Sequence, residues 1–305
     1  PFAEAVRPAT RPAQPERRRE FVETVREFAE FGTSTQEGVT RSSDGAREAA
    51  TFVNEFWTSA QRAANALHEV SYRACFKPQL PRFFIEQLTG EGEVVYDPFM
   101  GRGTTPIEAA LLGRVPFGND INPLSAMLVR PRLNPPALEE IARRLDEIPL
   151  ATDTPLWEEL LVFYERETLR EITALKEYLL GRAAEGTMDR VDEWVRMAAL
   201  NRLTGHSNGF FSVYTLPPNQ AVSLKSQAKI NRDRNQTPER RDSRKIILKK
   251  SRSLLKELDP ALRQRLEGIG GSARLVNAAA AETAEIPEGA VSLVVTSLPF
   301  LDVVD

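Results

Sequence analysis

Three short segments carry polar residues at the ends of apolar runs, where chemistry is most easily placed. The first is Asp97-Pro98-Phe99-Met100-Gly101-Arg102-Gly103-Thr104-Thr105. It follows Val94-Val95-Tyr96, an apolar run that predicts a buried parallel strand. It precedes Pro106 to Leu112, which predicts a helix. Thr105 is the expected N-cap, Pro106 sits where a missing N–H costs nothing, and Glu108 would complete a T-x-x-E capping box. Gly113 is the expected stop. A strand, a glycine turn and a helix N-terminus let a nucleotide-like ligand approach bare backbone. The third glycine of the dinucleotide fingerprint is absent, and so is the Gly-Lys-Ser/Thr of a phosphate-binding loop.

The second segment is Val115-Pro116-Phe117-Gly118-Asn119-Asp120, a second strand with Asp120 at its end. A carboxylate about 20 residues beyond the glycines, at that strand end, can accept hydrogen bonds from both hydroxyls of a ribose. Ile121 is placed to pack on a base, and Asn122-Pro123 starts the next helix. The third segment follows the strands expected at Ala273–Asn277 and Ala290–Val295. It is Thr296-Ser297-Leu298-Pro299-Phe300, at a strand end where an open parallel sheet puts its ligand crevice.

The string D-P-F-x-G-x-G-T-T resembles motif I of the S-adenosylmethionine-dependent DNA amino-methyltransferases, which methylate cytosine N4 or adenine N6. Ser297-Leu298-Pro299-Phe300 resembles motif IV of that family, and Asp120 its motif II. Lys77-Pro78, just before a helix expected at Arg82–Leu88, resembles motif X. The resemblance implies an α/β, Rossmann-like methyltransferase sheet that binds S-adenosylmethionine. Lys77 and Pro78 would then line the methionine end, with Asp97, Pro98, Phe99, Gly101, Gly103, Thr104 and Thr105 forming the turn around the cofactor. Asp120 would hold the ribose and Ile121 would face the adenine. The Ser form of motif IV favours cytosine N4 over adenine N6. In that chemistry Ser297 Oγ and the carbonyl of Leu298 accept hydrogen bonds from an exocyclic amine whose lone pair is otherwise delocalised, and Phe300 stacks on a flipped base. Two positions depart from the family pattern. Leu298 replaces the first Pro of Pro-Pro, which removes backbone stiffness but keeps the carbonyl. Asn277-Ala278-Ala279-Ala280 stands where family members often carry an Asp.

The 305 residues suffice for one large or two ordinary domains, and 41% hydrophobic with 27% charged residues suits a globular chain. No apolar run approaches membrane-spanning length and no secretory signal is present, so the cytoplasm is the expected location. Cys75 is the single cysteine, expected as a small buried apolar residue, and with His68 and His206 it cannot make a zinc cluster. No metal is expected.

Four regions follow in order. Residues 1–70 read as a tail disordered to about residue 20, then helices over about 20–31 and from Gly45 to Leu67, joined by a polar linker. Residues 71–134 hold the cofactor half of the sheet. Residues 135–268 read as a helical and basic insertion, with helices at Leu138–Leu145, Leu156–Leu180 and Met188–Leu203. Residues 269–305 return to the sheet with motif IV. The chain starts without Met and stops just after motif IV, so further strands are expected beyond Asp305.

Between Lys225 and Arg252 the chain carries eleven basic and three acidic residues, although its net charge is -3. Such a stripe can neutralise phosphates. Lys225, Lys229, Arg232, Arg234, Arg240, Arg241, Arg244 and Lys245 are therefore candidate contacts to double-stranded DNA. The interleaved Gln227, Asn231, Asn235 and Gln236 are candidate readers of base edges. A modification-type DNA methyltransferase, with a possible cognate restriction endonuclease as partner, is the expected function. Two others fit the same residues: an RNA methyltransferase, and a protein that binds the cofactor and DNA without transferring a methyl group.

Overall fold

The computed structural model describes residues 14–58, 64–72, 75–203, 209–215 and 222–298. The chain divides into two compact units. The first contains residues 1–64, 75–121 and 271–305, the second residues 65–74 and 122–270.

The first unit is built on four parallel strands, β3 (Val94–Asp97), β4 (Val115–Asn119), β5 (Arg274–Val276) and β6 (Leu293–Val294). Their order across the sheet is β5-β4-β3-β6. The chain steps outward from β3 through β4 to β5, then returns to the opposite side of β3 for β6. The direction therefore reverses between β3 and β6, and such a switch point opens a crevice beyond the strand ends. Alternation along β3 separates two apolar faces. Val95 packs with Ile85 of α2 (Gln79–Leu88), Ala109 of α3 (Thr104–Leu111) and Val295. Val94 packs with Val115 and Phe117, with Ile286, Ala290 and Val291 against them. All four expected strands are present.

The N-terminal elements differ from expectation. The residues before Gln14 lie outside the described residues, and α1 (Gln14–Glu27) begins inside the stretch read as disordered. The helix expected from Gly45 to Leu67 is instead an antiparallel hairpin for its first part, β1 (Gln36–Arg41) with β2 (Glu48–Val53). The turn at Ser42–Arg47 explains this. Asp44 takes the Ala46 N–H, Gly45 adopts φ +68, and β-branched Thr51 and Val53 follow. Phe21, Phe28, Phe56, Trp57, Phe83 and Phe84 join α1, the end of the hairpin and α2 through ring contacts of 5.2 to 6.2 Å.

The second unit is helical: α4 (Pro123–Leu133), α5 (Leu138–Glu147), α6 (Arg166–Ala184), α7 (Arg190–Leu200), α8 (Leu224–Asp233), α9 (Ser243–Leu255) and α10 (Pro260–Gly270). The expected helix from Leu156 starts ten residues late, because Glu158–Val162 forms a 3-10 turn and Glu165 caps α6 by accepting the N–H groups of Glu167 and Thr168. Trp194 is fully buried at the centre and its indole N–H donates to Ser251 Oγ at 2.9 Å. At the start of α7 the fully buried Asp192 lies between Arg144 and Arg182, at 2.9 Å from the latter.

That pairing sets a prediction. Replacing Asp192 by Ala removes the buried partner shared by Arg144 and Arg182 and leaves them Asp189, at 2.7 and 3.6 Å, so urea denaturation should show a loss of about 2 kcal/mol, the worth of hydrogen bonds to a charged group. Replacing Glu158, whose pair with Arg166 is mostly exposed, should cost less than about 1 kcal/mol.

Candidate functional site

The turn after β3 is held by backbone geometry. Gly101 and Gly103 take φ +48 and +81, conformations that a side chain would strain. Gly103 is the residue before the helix, so α3 begins at Thr104. The expected capping box is absent for this reason: Thr105 already lies inside the helix. Its hydroxyl donates to the Val295 carbonyl at 3.1 Å, and Glu108 pairs with Arg82 of α2 at 2.8 Å. Gly113 does end the helix, at φ +81.

Asp97 ends β3 and is 1% exposed. Its Oδ1 accepts the Phe99 N–H at 3.0 Å and the Thr296 hydroxyl at 2.6 Å. Its Oδ2 is buried with no hydrogen-bond partner among the described residues. The Thr105 hydroxyl lies beside the carboxyl, lowering its pKa, and reaches the Val295 carbonyl at 3.1 Å. Burial pushes the Asp97 carboxyl up to about 6, against the pull of the Thr296 and Phe99 hydrogen bonds. Thr296 precedes Ser297, so this one bond joins the turn after β3 to the segment after β6 across the switch point. Thr296 was not among the candidates. A hydroxyl next to the motif was the available signal.

Asp120 follows β4, and its Oδ2 accepts the Gly101 N–H at 2.8 Å. The two carboxylates thus bracket the glycine turn from neighbouring strands. Two asparagines missed in the sequence fix this arrangement. Asn119 donates to the carbonyls of Pro98 and Ala278 at 3.2 and 3.0 Å and accepts the Ala278 N–H at 3.1 Å, clasping the ends of β3, β4 and β5. Asn277 donates to the carbonyls of Asp120 and Ile121 at 2.7 and 2.9 Å. An Asn closing an otherwise apolar strand was the signal for Asn119.

The other candidates fall as follows. Ile121 is 76% exposed, a bare apolar surface beside Asp120. Pro78 is buried at the start of α2 and Lys77 is exposed. Ser297 and Leu298 are exposed at the end of the β6 segment, Leu298 by 67%. Pro299 and Phe300 lie outside the described residues. Cys75 is exposed, contrary to the buried role expected, because it precedes α2 in a non-regular segment. Among the described residues no cluster of His, Cys, Asp or Glu could hold a metal ion, and no helix is long and apolar enough to cross a membrane.

Packing divides the basic stripe of the second unit. Arg240 pairs with Glu171, and Arg241 lies 3.7 Å from Glu239. Arg244 donates to the carbonyls of Leu145 and Ile148 at 2.7 and 2.8 Å, and Lys245 pairs with Asp242 at 3.2 Å. Lys225, Lys229, Arg232 and Arg234 are exposed, with Arg234 stacked 3.7 Å over the Tyr214 ring. Gln227, Asn231 and Gln236 do not point outward to read bases. Their amide N–H groups bond to one another and to the Tyr214 and Val162 backbone. Asn235 is exposed, at φ +47.

A parallel sheet with two carboxylates around a glycine turn at its switch point suits a nucleoside ligand, and the orphaned Asp97 oxygen suits a cationic group. Residues 14–126 match the model of a family described as DNA methylase. The match starts where α1 starts and takes in the hairpin. Among curated proteins, the chain is 30% identical over 128 residues to Type II methyltransferase M.MvaI of Kocuria varians, covering 41% of this chain and 25% of that protein. It is 30% identical over 74 residues to Type II methyltransferase M.MjaII of Methanocaldococcus jannaschii, covering 24% and 14%. For Type II methyltransferase M.BsoBI of Geobacillus stearothermophilus the figures are 34% over 82 residues, 26% and 16%. The matched stretch thus spans a quarter or less of each relative. No solved structure matches.

The raised Asp97 value has a consequence for stability. Between its unfolded value of about 4 and its folded value of about 6, the folded protein holds a proton that the unfolded chain releases. Ionisation therefore weakens the fold as pH rises through that window, by up to about 3 kcal/mol. Thermal melts of Asp97→Asn should exceed those of the unliganded wild type at pH 8 and converge with them below about pH 4.

Proposed function

We propose that this chain is the cofactor-binding and catalytic part of an S-adenosylmethionine-dependent DNA methyltransferase that modifies an exocyclic amine, cytosine N4 in preference to adenine N6. The observation that carries the reading is the Asp97–Thr296 hydrogen bond at the switch point. It puts the end of the cofactor motif directly against the residue preceding Ser297. The family match over residues 14–126 supports the class. The Rossmann-like sheet of this reading is interrupted in sequence by the helical unit. A cognate endonuclease and a cytoplasmic setting belong to the same reading.

Bound S-adenosylmethionine would supply an activated methyl group on a sulfonium. The residues of the chain do the rest. The amides and αL glycines of Pro98–Thr105 let the nucleoside approach, Asp120 holds the ribose hydroxyls, and Ile121 covers the adenine. Asp97 Oδ2 takes the ammonium of the methionine moiety, with Lys77-Pro78 at the same end. Ser297 Oγ and the Leu298 carbonyl accept the two N–H groups of the target amine, which frees its lone pair. Phe300 stacks on the extruded base. The proton given up by the methylated amine would leave through these acceptors to water. The Ser in motif IV is what favours cytosine N4. Leu298 favours, as a second reading, a chain that binds cofactor and DNA but transfers methyl slowly.

Titration calorimetry with S-adenosylhomocysteine tests the first claim. Saturable binding that weakens about 10- to 100-fold in Asp120→Ala is expected, the loss of hydrogen bonds to a charged group. Affinity should also rise from pH 5 to 7 as Asp97 ionises to meet a cation. A folded wild type that fails to bind overturns the reading. Mass spectrometry of DNA incubated with the methyl donor then identifies the modified base. Recovery of methylation only in Leu298→Pro would assign the second reading.

A further inference from the structure

We infer that the exposed face of α8, together with the Arg234–Tyr214 stack beyond its end, is where the helical unit grips the phosphate backbone of duplex DNA. The inference rests on the DNA methyltransferase reading and deepens it by choosing one surface out of a long basic stripe.

Lys225, Lys229 and Arg232 stand at i, i+4 and i+7 on α8. At 100° per residue they fall within an arc of about 60°. All are exposed, and none is ion-paired among the described residues. The stripe runs about 10 Å along the helix axis, a length over which duplex DNA carries about six phosphate charges. The opposite face is anchored: Gln227 is fully buried, and Asn231, one turn on, donates to the Val162 carbonyl at 2.8 Å.

The second observation is independent of charge. Tyr214 has both backbone polar groups fixed by side chains. Gln236 accepts its N–H at 3.1 Å, and its carbonyl accepts from Gln227 at 2.9 Å and Gln236 at 3.0 Å. Both glutamines also donate to Asn231 Oδ1 at 2.8 Å. The residue held so firmly is 48% exposed. Its ring carries the Arg234 guanidinium at 3.7 Å. A guanidinium held over a ring face does not spend its N–H groups on that contact, and they remain for paired bonds to phosphate. Its ordering entropy is lost on folding rather than on binding.

The rival surface is on α9, where Lys245, Lys249 and Arg252 repeat the same spacing and are also exposed. There the first cation is already paired with Asp242, and no aromatic stack adjoins the row among the described residues. Removing three charges from each helix in turn separates the two.

The test is fluorescence anisotropy of the full chain with a labelled non-specific duplex between 50 and 200 mM salt. The triple variant Lys225→Gln, Lys229→Gln, Arg232→Gln should bind at least tenfold more weakly and lose about 2 to 3 from its log–log salt slope. The α9 control, Lys245→Gln, Lys249→Gln, Arg252→Gln, should change affinity less than threefold. Arg234→Lys should weaken binding with little change of slope, since charge remains and planarity is lost. Circular dichroism melts confirm that each variant folds. Equal losses from the two triples, or tighter binding of an RNA duplex of the same sequence, would overturn the inference. A wild type that binds no duplex at 50 mM salt would instead sink the DNA reading itself.

Discussion

The first unit depends on a buried carboxylate. Asp97 lies where the parallel sheet reverses direction, in a place that raises its pKa to about 6. A carboxylate there is costly unless it is bonded, and only one of its oxygens is satisfied among the described residues. The surrounding groups follow from that. The Phe99 amide turns back toward it, which starts the glycine turn. Thr296 reaches across from β6, which brings Ser297 to the same strand ends. The cost is tolerable if the free oxygen is kept for a ligand.

Neighbouring groups spread the same logic over the sheet. Asp120 takes the Gly101 amide, so the turn is braced from β4 as well as from β3. Asn119 and Asn277 then lock the ends of β4 and β5 with side-chain amides rather than with more strand pairing. The Asn119 amide is buried and fixes geometry because leaving it unpaired would cost more than its bonds are worth, whereas Asn277 makes its bonds at the surface. Asn277 orients the Asp120–Ile121 turn.

The helical unit uses polar side chains in two ways. Around Asp192 and Arg144, charges neutralise each other and hold helices together. Around Tyr214, uncharged amides hold a surface residue still. Composition cannot separate these uses, since the same Arg, Gln and Asn residues serve both. Arg244 carries the charge expected of a phosphate contact and yet caps two carbonyls at the end of α5.

The residues alone were enough for all four sheet strands, the glycine turn and the placing of Asp97 and Asp120 at strand ends. Apolar runs bounded by glycine and acidic residues are local signals, and strand alternation and turn chemistry act over a few residues. What they could not show was which ends meet. The hydrogen bond from Thr296 to Asp97 joins residues 199 apart in sequence, and only the sheet order makes them neighbours. The hairpin at 36–53 was misread because an apolar run with Phe52, Val53 and Phe56 fits a helix as well as a strand, and the turn at Asp44–Gly45 decides it. The capping box failed because a positive φ at Gly103 starts the helix two residues earlier than its capping chemistry suggested. The basic stripe was legible as charge, but burial and pairing, which are properties of the folded unit, decided which cations are left to meet a partner.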